Sequence, residues 1–154
     1  MQEKFTILVA DDDADDRLLI EDAFQENECS FKVDFVVDGV ELMDYLTRKD
    51  KFSDLQETAL PKVILLDLNM PRKDGRTALE EIKNSEELRN IPVVILTTSN
   101  SEEDISKTYG LGVNSFITKP VTFEELVDVV KTLTTYWLEI VELPVLTTES
   151  CMAV

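Results

Sequence analysis

The chain has no histidine. That excludes His-based general acid–base catalysis, Ser-His-Asp and Cys-His arrangements, and most zinc sites. Cysteine is nearly absent too. Cys29 and Cys151 lie far apart with no metal-ligand spacing, so two free thiols are expected rather than a disulfide framework. Positive charge is scarce: 15 Lys and Arg stand against 32 Asp and Glu, a net charge of −17. A nucleic-acid backbone would be repelled by such a surface. No apolar run approaches the roughly 20 residues of a membrane span. Met1-Gln2-Glu3-Lys4 leads into a short apolar stretch that acids interrupt at once, unlike a signal peptide. A cytoplasmic protein is expected. Its 154 residues suit one domain with one sizeable core.

Short apolar strands alternate with amphipathic stretches. Thr6–Ala10 reads as a first strand, and Asp15–Asn27 as a helix with Leu18, Leu19, Ala23 and Phe24 at helical spacing. Lys32–Val37 reads as a second strand and Val40–Arg48 as a helix. The continuous apolar runs Val63–Leu66 and Val93–Leu96 suit strands buried on both faces, with a helix over Thr77–Asn84 between them. Ser101-Glu102-Glu103-Asp104 and Thr122-Phe123-Glu124-Glu125 are capping boxes that open two further helices, on either side of a fifth strand at Ser115–Thr118. Five βα units in a row imply a doubly wound α/β fold, a five-stranded parallel sheet between helical layers with right-handed crossovers. Lys49–Pro61 is a long, mostly polar connection, and Leu138–Val154 has no place in the series.

The chemistry-bearing residues follow the strands. Asp11, Asp12 and Asp13 come after the first, Asp67 after the third, Thr97 after the fourth and Lys119 after the fifth. Ligands of open α/β sheets bind outside the carboxyl ends of the strands, where the strand order reverses. With an order 2-1-3-4-5, Asp11, Asp12 and Asp67 share one pocket, with Thr97 and Lys119 on its far side. Two carboxylates ~4 Å apart repel by about 4 kcal/mol at an effective dielectric of about 20, so the cluster calls for a cation. Hard oxygen ligands with room for water suit Mg²⁺. A metal beside one carboxylate, with an ammonium opposite, is what phosphoryl transfer requires. Taken singly, each residue has a plainer reading. Asp13 or Asp15 is a helix cap or a solvated charge rather than a ligand, Thr97 an ordinary strand end, and Lys119 a surface charge. Their joint appearance at four strand ends favours the functional reading of the set.

These residues sit in motifs that resemble the receiver domains of two-component response regulators, the CheY-like family. The matching stretches are Ile7-Leu8-Val9-Ala10-Asp11-Asp12, Leu65 to Pro71 with Asp74-Gly75, Val94 to Thr98, and Phe116-Ile117-Thr118-Lys119-Pro120. The likeness runs from about Thr6 to Trp137. It implies that Asp67 is the phosphoryl acceptor. It implies that Asp12 and Asp67 bind Mg²⁺ directly with the backbone carbonyl of Asn69, Asp11 acting through water. Lys119 would pair with phosphoryl oxygens, Thr97 would supply a hydroxyl that shifts toward the phosphate, and Phe116 would be an aromatic rotamer switch. Asn69 and Ser99 occupy positions that tune phosphoryl lifetime in the family, and the Lys119–Pro120 bond is expected to be cis. Residues 1–140 would form the receiver and 141–154 a tail without an output domain. With no histidine in the chain, the donor phosphohistidine comes from a partner kinase. The protein would catalyse only its own phosphorylation and dephosphorylation.

A narrower likeness is to the small response regulators of cyanobacterial phytochromes. It rests on the Lys49–Pro61 insertion, on Asp67-Leu-Asn-Met-Pro-Arg-Lys-Asp-Gly75, on Leu111-Gly112-Val113-Asn114 leading to Phe116, and on the C-terminal extension. It implies a phytochrome-type histidine kinase as donor. Two other readings remain. A metal-dependent aspartyl-phosphate phosphatase needs an acid two residues after its nucleophile, where this chain has Asn69. A non-phosphorylated pseudo-receiver typically lacks the acceptor, the acid pair or the lysine, all present here.

The last helix suggests assembly. Phe123, Leu126, Val127, Val130, Thr134, Trp137 and Val141 form one stripe, assigned to the core. Val129, Leu133, Tyr136 and Ile140 form a second, within about 60° of each other at ~100° per residue. A homodimer through this stripe is expected. The alternative is a tail that folds back over it with Leu143, Val145 and Leu146.

Overall fold

The central strands are apolar at nearly every position yet divide their side chains between two cores, because successive residues of a strand point to opposite faces. The computed structural model describes residues 5–27, 31–55 and 59–144. β1 (Phe5–Ala10), β2 (Phe31–Val36), β3 (Val63–Leu66), β4 (Val93–Thr97) and β5 (Ser115–Thr118) form one parallel sheet in the order β2-β1-β3-β4-β5. Leu8, Ile64, Leu66, Val93 and Ile95 face α2 (Gly39–Thr47) and α3 (Gly75–Lys83), packing with Leu42, Leu46, Leu79 and Ile82. Ile7, Val9, Val63, Leu65, Val94 and Leu96 face α1 (Ala14–Gln25) and α5 (Phe123–Thr134), packing with Ile20, Phe24, Leu126 and Val130. The fold class is the one expected from the βα alternation. The order reverses between β1 and β3, which opens the crevice at their carboxyl ends.

The helix starts are fixed locally. Asp13 caps α1 by accepting from the backbone N–H of Asp15 and Asp16, so the cap reading of Asp13 holds. Ser101 caps α4 (Glu102–Leu111) through the N–H of Asp104, and Thr122 caps α5 through that of Glu125. The Lys49–Pro61 connection holds a 3₁₀ turn, Asp50–Leu55, whose Phe52 and Leu55 pack against the first core.

Several expectations are corrected. Leu18 and Leu19 are exposed, and Ile20 takes the inward position with Ala23 and Phe24. The inward stripe of α1 thus runs through Ile20 rather than its neighbour Leu19. Phe123 is likewise exposed rather than in the core. α5 gives way at Thr135 to a π-helical turn, Thr135–Ile140, closed by the i→i+5 bond from Val141 N–H to Tyr136 O at 3.0 Å. The 100° spacing ends there. The second stripe therefore divides: Leu133 packs on the core, whereas Tyr136 and Ile140 are exposed. The Lys119–Pro120 bond is trans, as no cis peptide occurs among the described residues. The trans chain already delivers Lys119 to its partners, and trans is the ordinary preference of X–Pro bonds. Cys29, Cys151, Val145 and Leu146 lie outside the described residues.

Candidate functional site

Asp11 and Asp67 leave neighbouring strands side by side. The N–H of Asp67 donates to Ala10 O and that of Asp11 to Val36 O, both at 3.0 Å, so the parallel ladder aligns the two carboxylates. Both are almost wholly buried, while Asp12 beside them is exposed. Carboxylate oxygens of Asp11, Asp12 and Asp67 all lie within 4.8 Å of one another. This donor set, three hard oxygens with one side open to water, fits a hard divalent cation.

The opposite side of the cluster is cationic. Lys119 Nζ donates to Asp67 Oδ2 at 2.9 Å, to Asp16 Oδ2 at 2.7 Å, and pairs with Asp11 Oδ2 at 2.8 Å. Its own N–H donates to Thr97 O at 2.8 Å, which ties the end of β5 to the end of β4. Asp67 Oδ1 accepts from the Thr97 hydroxyl at 2.7 Å and from the N–H of Asn69 at 3.1 Å. Asp67 is thus held at both oxygens by groups from three chain segments. Burial pushes the Asp11 carboxyl up, against the lowering by Lys119 and by the N–H of Asp13. Burial alone would lower the Lys119 ammonium, but its bonds to Asp11, Asp16 and Asp67 outweigh that and hold it above the usual lysine range. α3 comes close to this floor: a Cβ on Gly75 would collide with the Asp67 carbonyl oxygen and Leu68 Cα, so only glycine lets the helix begin there.

The structure brings together every expected site residue except two. Phe116 is half-buried against the first core and Ser99 faces away, donating to Asp104 Oδ2 at 2.6 Å. Two features escaped the sequence reading. One is Asp16. The other is a cross-helix clamp in which Arg76 grips Asp104 with two bonds of 2.7 Å while also reaching Asp74.

A search for relatives matches residues 7–131 to the response regulator receiver domain. The chain belongs to that family. It is 38% identical over 141 residues to the response regulator Rcp1 of Synechocystis, covering 92% of this chain and 93% of Rcp1. It is also 38% identical over 137 residues to a probable methanogenesis regulatory protein, FilR2, of Methanothrix harundinacea, covering 89% and 86%. Among solved structures, the phosphorylated cyanobacterial phytochrome response regulator RcpA superposes with a TM-score of 0.85 at 38% identity, over 93% of this chain and all of RcpA. The Mn²⁺-bound form of Rcp1 superposes with a TM-score of 0.83 at 35% identity, over 92% and 99%. The receiver is thus homologous to phytochrome response regulators, and receivers bind a divalent metal at this acidic pocket. Among the described residues no helix is long and apolar enough to cross a membrane.

Proposed function

We propose that this receiver is a switch that takes a phosphoryl group from a histidine kinase onto Asp67, with Mg²⁺ as the resident cation. The observation that carries the reading is the clamped state of Asp67, both oxygens bonded by Thr97, Asn69 and Lys119 beside Asp11 and Asp12. A carboxylate oxygen of Asp67 attacks phosphorus. The phosphorus–nitrogen bond to the donor imidazole breaks, and the imidazole leaves with the electron pair and takes a proton from water. Asp11, Asp12 and Asp67, with the Asn69 carbonyl, would hold Mg²⁺, which when bound offsets charge on the phosphoryl oxygens. Lys119 stabilises the same oxygens from the other side. The Thr97 hydroxyl, released from the carboxylate, turns to the phosphoryl group, and Phe116 on β5 follows it. Asn69 cannot donate a proton as a general acid, which disfavours a turnover phosphatase, and the intact acceptor, acid pair and lysine disfavour a pseudo-receiver.

The donor kinase is a phytochrome-type light sensor in this reading, supported by the likeness to Rcp1 and RcpA. The equal identity to FilR2 makes the stimulus the part that a kinase panel decides. The donor meets the site beside exposed Leu19, Val121 and Phe123, an apolar rim that shares Lys119 and Asp16 with the site itself. Residues 1–140 act as the receiver and 141–154 as a tail. The output is a protein contact or assembly change: a homodimer through α5 and the following turn, supported by exposed Tyr136 and Ile140. A kinase that draws on ATP supports a cytoplasmic location, and the net charge of −17 supports the absence of nucleic acid among the partners. Acetyl phosphate with Mg²⁺ should add one phosphoryl group to wild type and none to Asp67→Asn. Equal uptake of label by the variant would sink the assignment.

A further inference from the structure

Lys119 Nζ donates to Asp16 and Asp67 and is ion-paired with Asp11, and one of these three carboxylates stands outside the acidic cluster. Asp11 and Asp67 belong to the cluster; Asp16 does not. Asp16 lies in the first turn of α1, its backbone N–H fixed by the Asp13 cap at 3.2 Å. An acid there has an ordinary role in offsetting the helix dipole, which needs no side-chain partner. Yet its Oδ2 reaches 2.7 Å to a lysine 103 residues away, the shortest of the three contacts.

We propose that Asp16 is a positioning residue that competes with the phosphoryl group for Lys119. The inference rests on Asp67 being the acceptor. An ammonium has three protons and one charge. A phosphoryl dianion on Asp67 draws on both. Asp16 withholds one proton and offsets part of the charge, and it adds a negative charge beside the incoming anion. The contact therefore weakens the hold of the site on phosphoryl groups and slows their uptake. Because Asp16 lies outside the cluster, it retains Lys119 when a cation draws on Asp11 and Asp67.

The test titrates beryllofluoride, an anionic phosphoryl analogue, into wild type, Asp16→Asn, Asp16→Ala and Asp16→Glu at saturating Mg²⁺. Saturation matters because removing a negative charge also weakens cation binding. Uptake from acetyl phosphate is followed in parallel. Asp16→Asn and Asp16→Ala should bind the analogue roughly three- to tenfold more tightly, a size set by one partly exposed charge. They should also take up label faster, and the gain should shrink as salt rises. Asp16→Glu should behave as wild type. A purely helix-stabilising acid would instead alter the melting temperature and leave affinity and rate unchanged. Unchanged or slower uptake in folded Asp16→Asn overturns the proposal. If wild type itself binds no analogue and takes no label, the assignment of Asp67 fails with it.

Discussion

The Thr97 hydroxyl donates to Oδ1 of Asp67 across 2.7 Å, with both residues buried. The same oxygen accepts from Asn69, so Thr97 orients the carboxylate without being its sole support. Thr97→Ala should therefore still be phosphorylated on Asp67, but should couple phosphorylation poorly to partner binding. Binding measured with and without beryllofluoride checks this. Equal coupling in variant and wild type would remove Thr97 from the switch.

The acidic cluster should set the response to metal. Asp11, Asp12 and Asp67 repel when no cation is present, so Mg²⁺ should raise the melting temperature by mass action. At a hundred times the dissociation constant the gain is about 2.7 kcal/mol. Asp12→Asn should be more stable without metal and should lose most of the shift. Identical Mg²⁺-dependent shifts in both proteins would exclude Asp12 as a ligand.

The clamp between α3 and α4 gives a pH dependence of known sign. Hydrogen bonds from Arg76, then Ser99, hold the Asp104 carboxyl well below the usual carboxylate range. A depressed folded-state value means stability that is present above the unfolded value near 3.8 and lost as pH falls. Asp104→Asn should cost about 1–2 kcal/mol at neutral pH, and the gap to wild type should begin to narrow below about pH 4 and keep narrowing as pH falls toward the depressed folded-state value. Urea unfolding at several pH values measures it; a gap that widens in acid would contradict the account.

Gly75 should not tolerate a side chain. Gly75→Ala forces the start of α3 off the carbonyl of Asp67, at a cost of about 1–3 kcal/mol, and should disturb the Asp67 carboxylate as well as the core. Thermal melting together with the phosphorylation rate checks both effects. A variant with unchanged melting and rate would show that the helix start shifts freely.

The proposed homodimer makes a separate prediction. Tyr136→Glu with Ile140→Glu should give a monomer by light scattering while Asp67 is still phosphorylated. Wild type that scatters as a monomer at every concentration, with or without beryllofluoride, removes the dimer.

The sequence by itself determined the strand-end residues. Asp11, Asp67 and Thr97 close apolar runs of strand length and Lys119 follows the short Ser115–Thr118 strand, and in a parallel sheet every strand carries its carboxyl end to the same edge. Period-two alternation likewise sets which residues of β1, β3 and β4 enter each core, because a strand has only two faces. Local caps at Asp13, Ser101 and Thr122 were legible because their partners lie within three residues. The structure alone decided what depends on contacts distant in sequence. Asp16 looks like any first-turn acid until β5 brings Lys119 to it. Ser99 looks free until α4 presents Asp104, and Arg76 and Asp104 pair only because α3 and α4 lie side by side. The π turn after Thr134 was equally hidden, since a stripe counted at one angular step carries no sign of where the helix changes its hydrogen bonds. Short-range pattern fixes what a residue can be. Which partner takes up its charge or its proton is decided by packing across the whole chain.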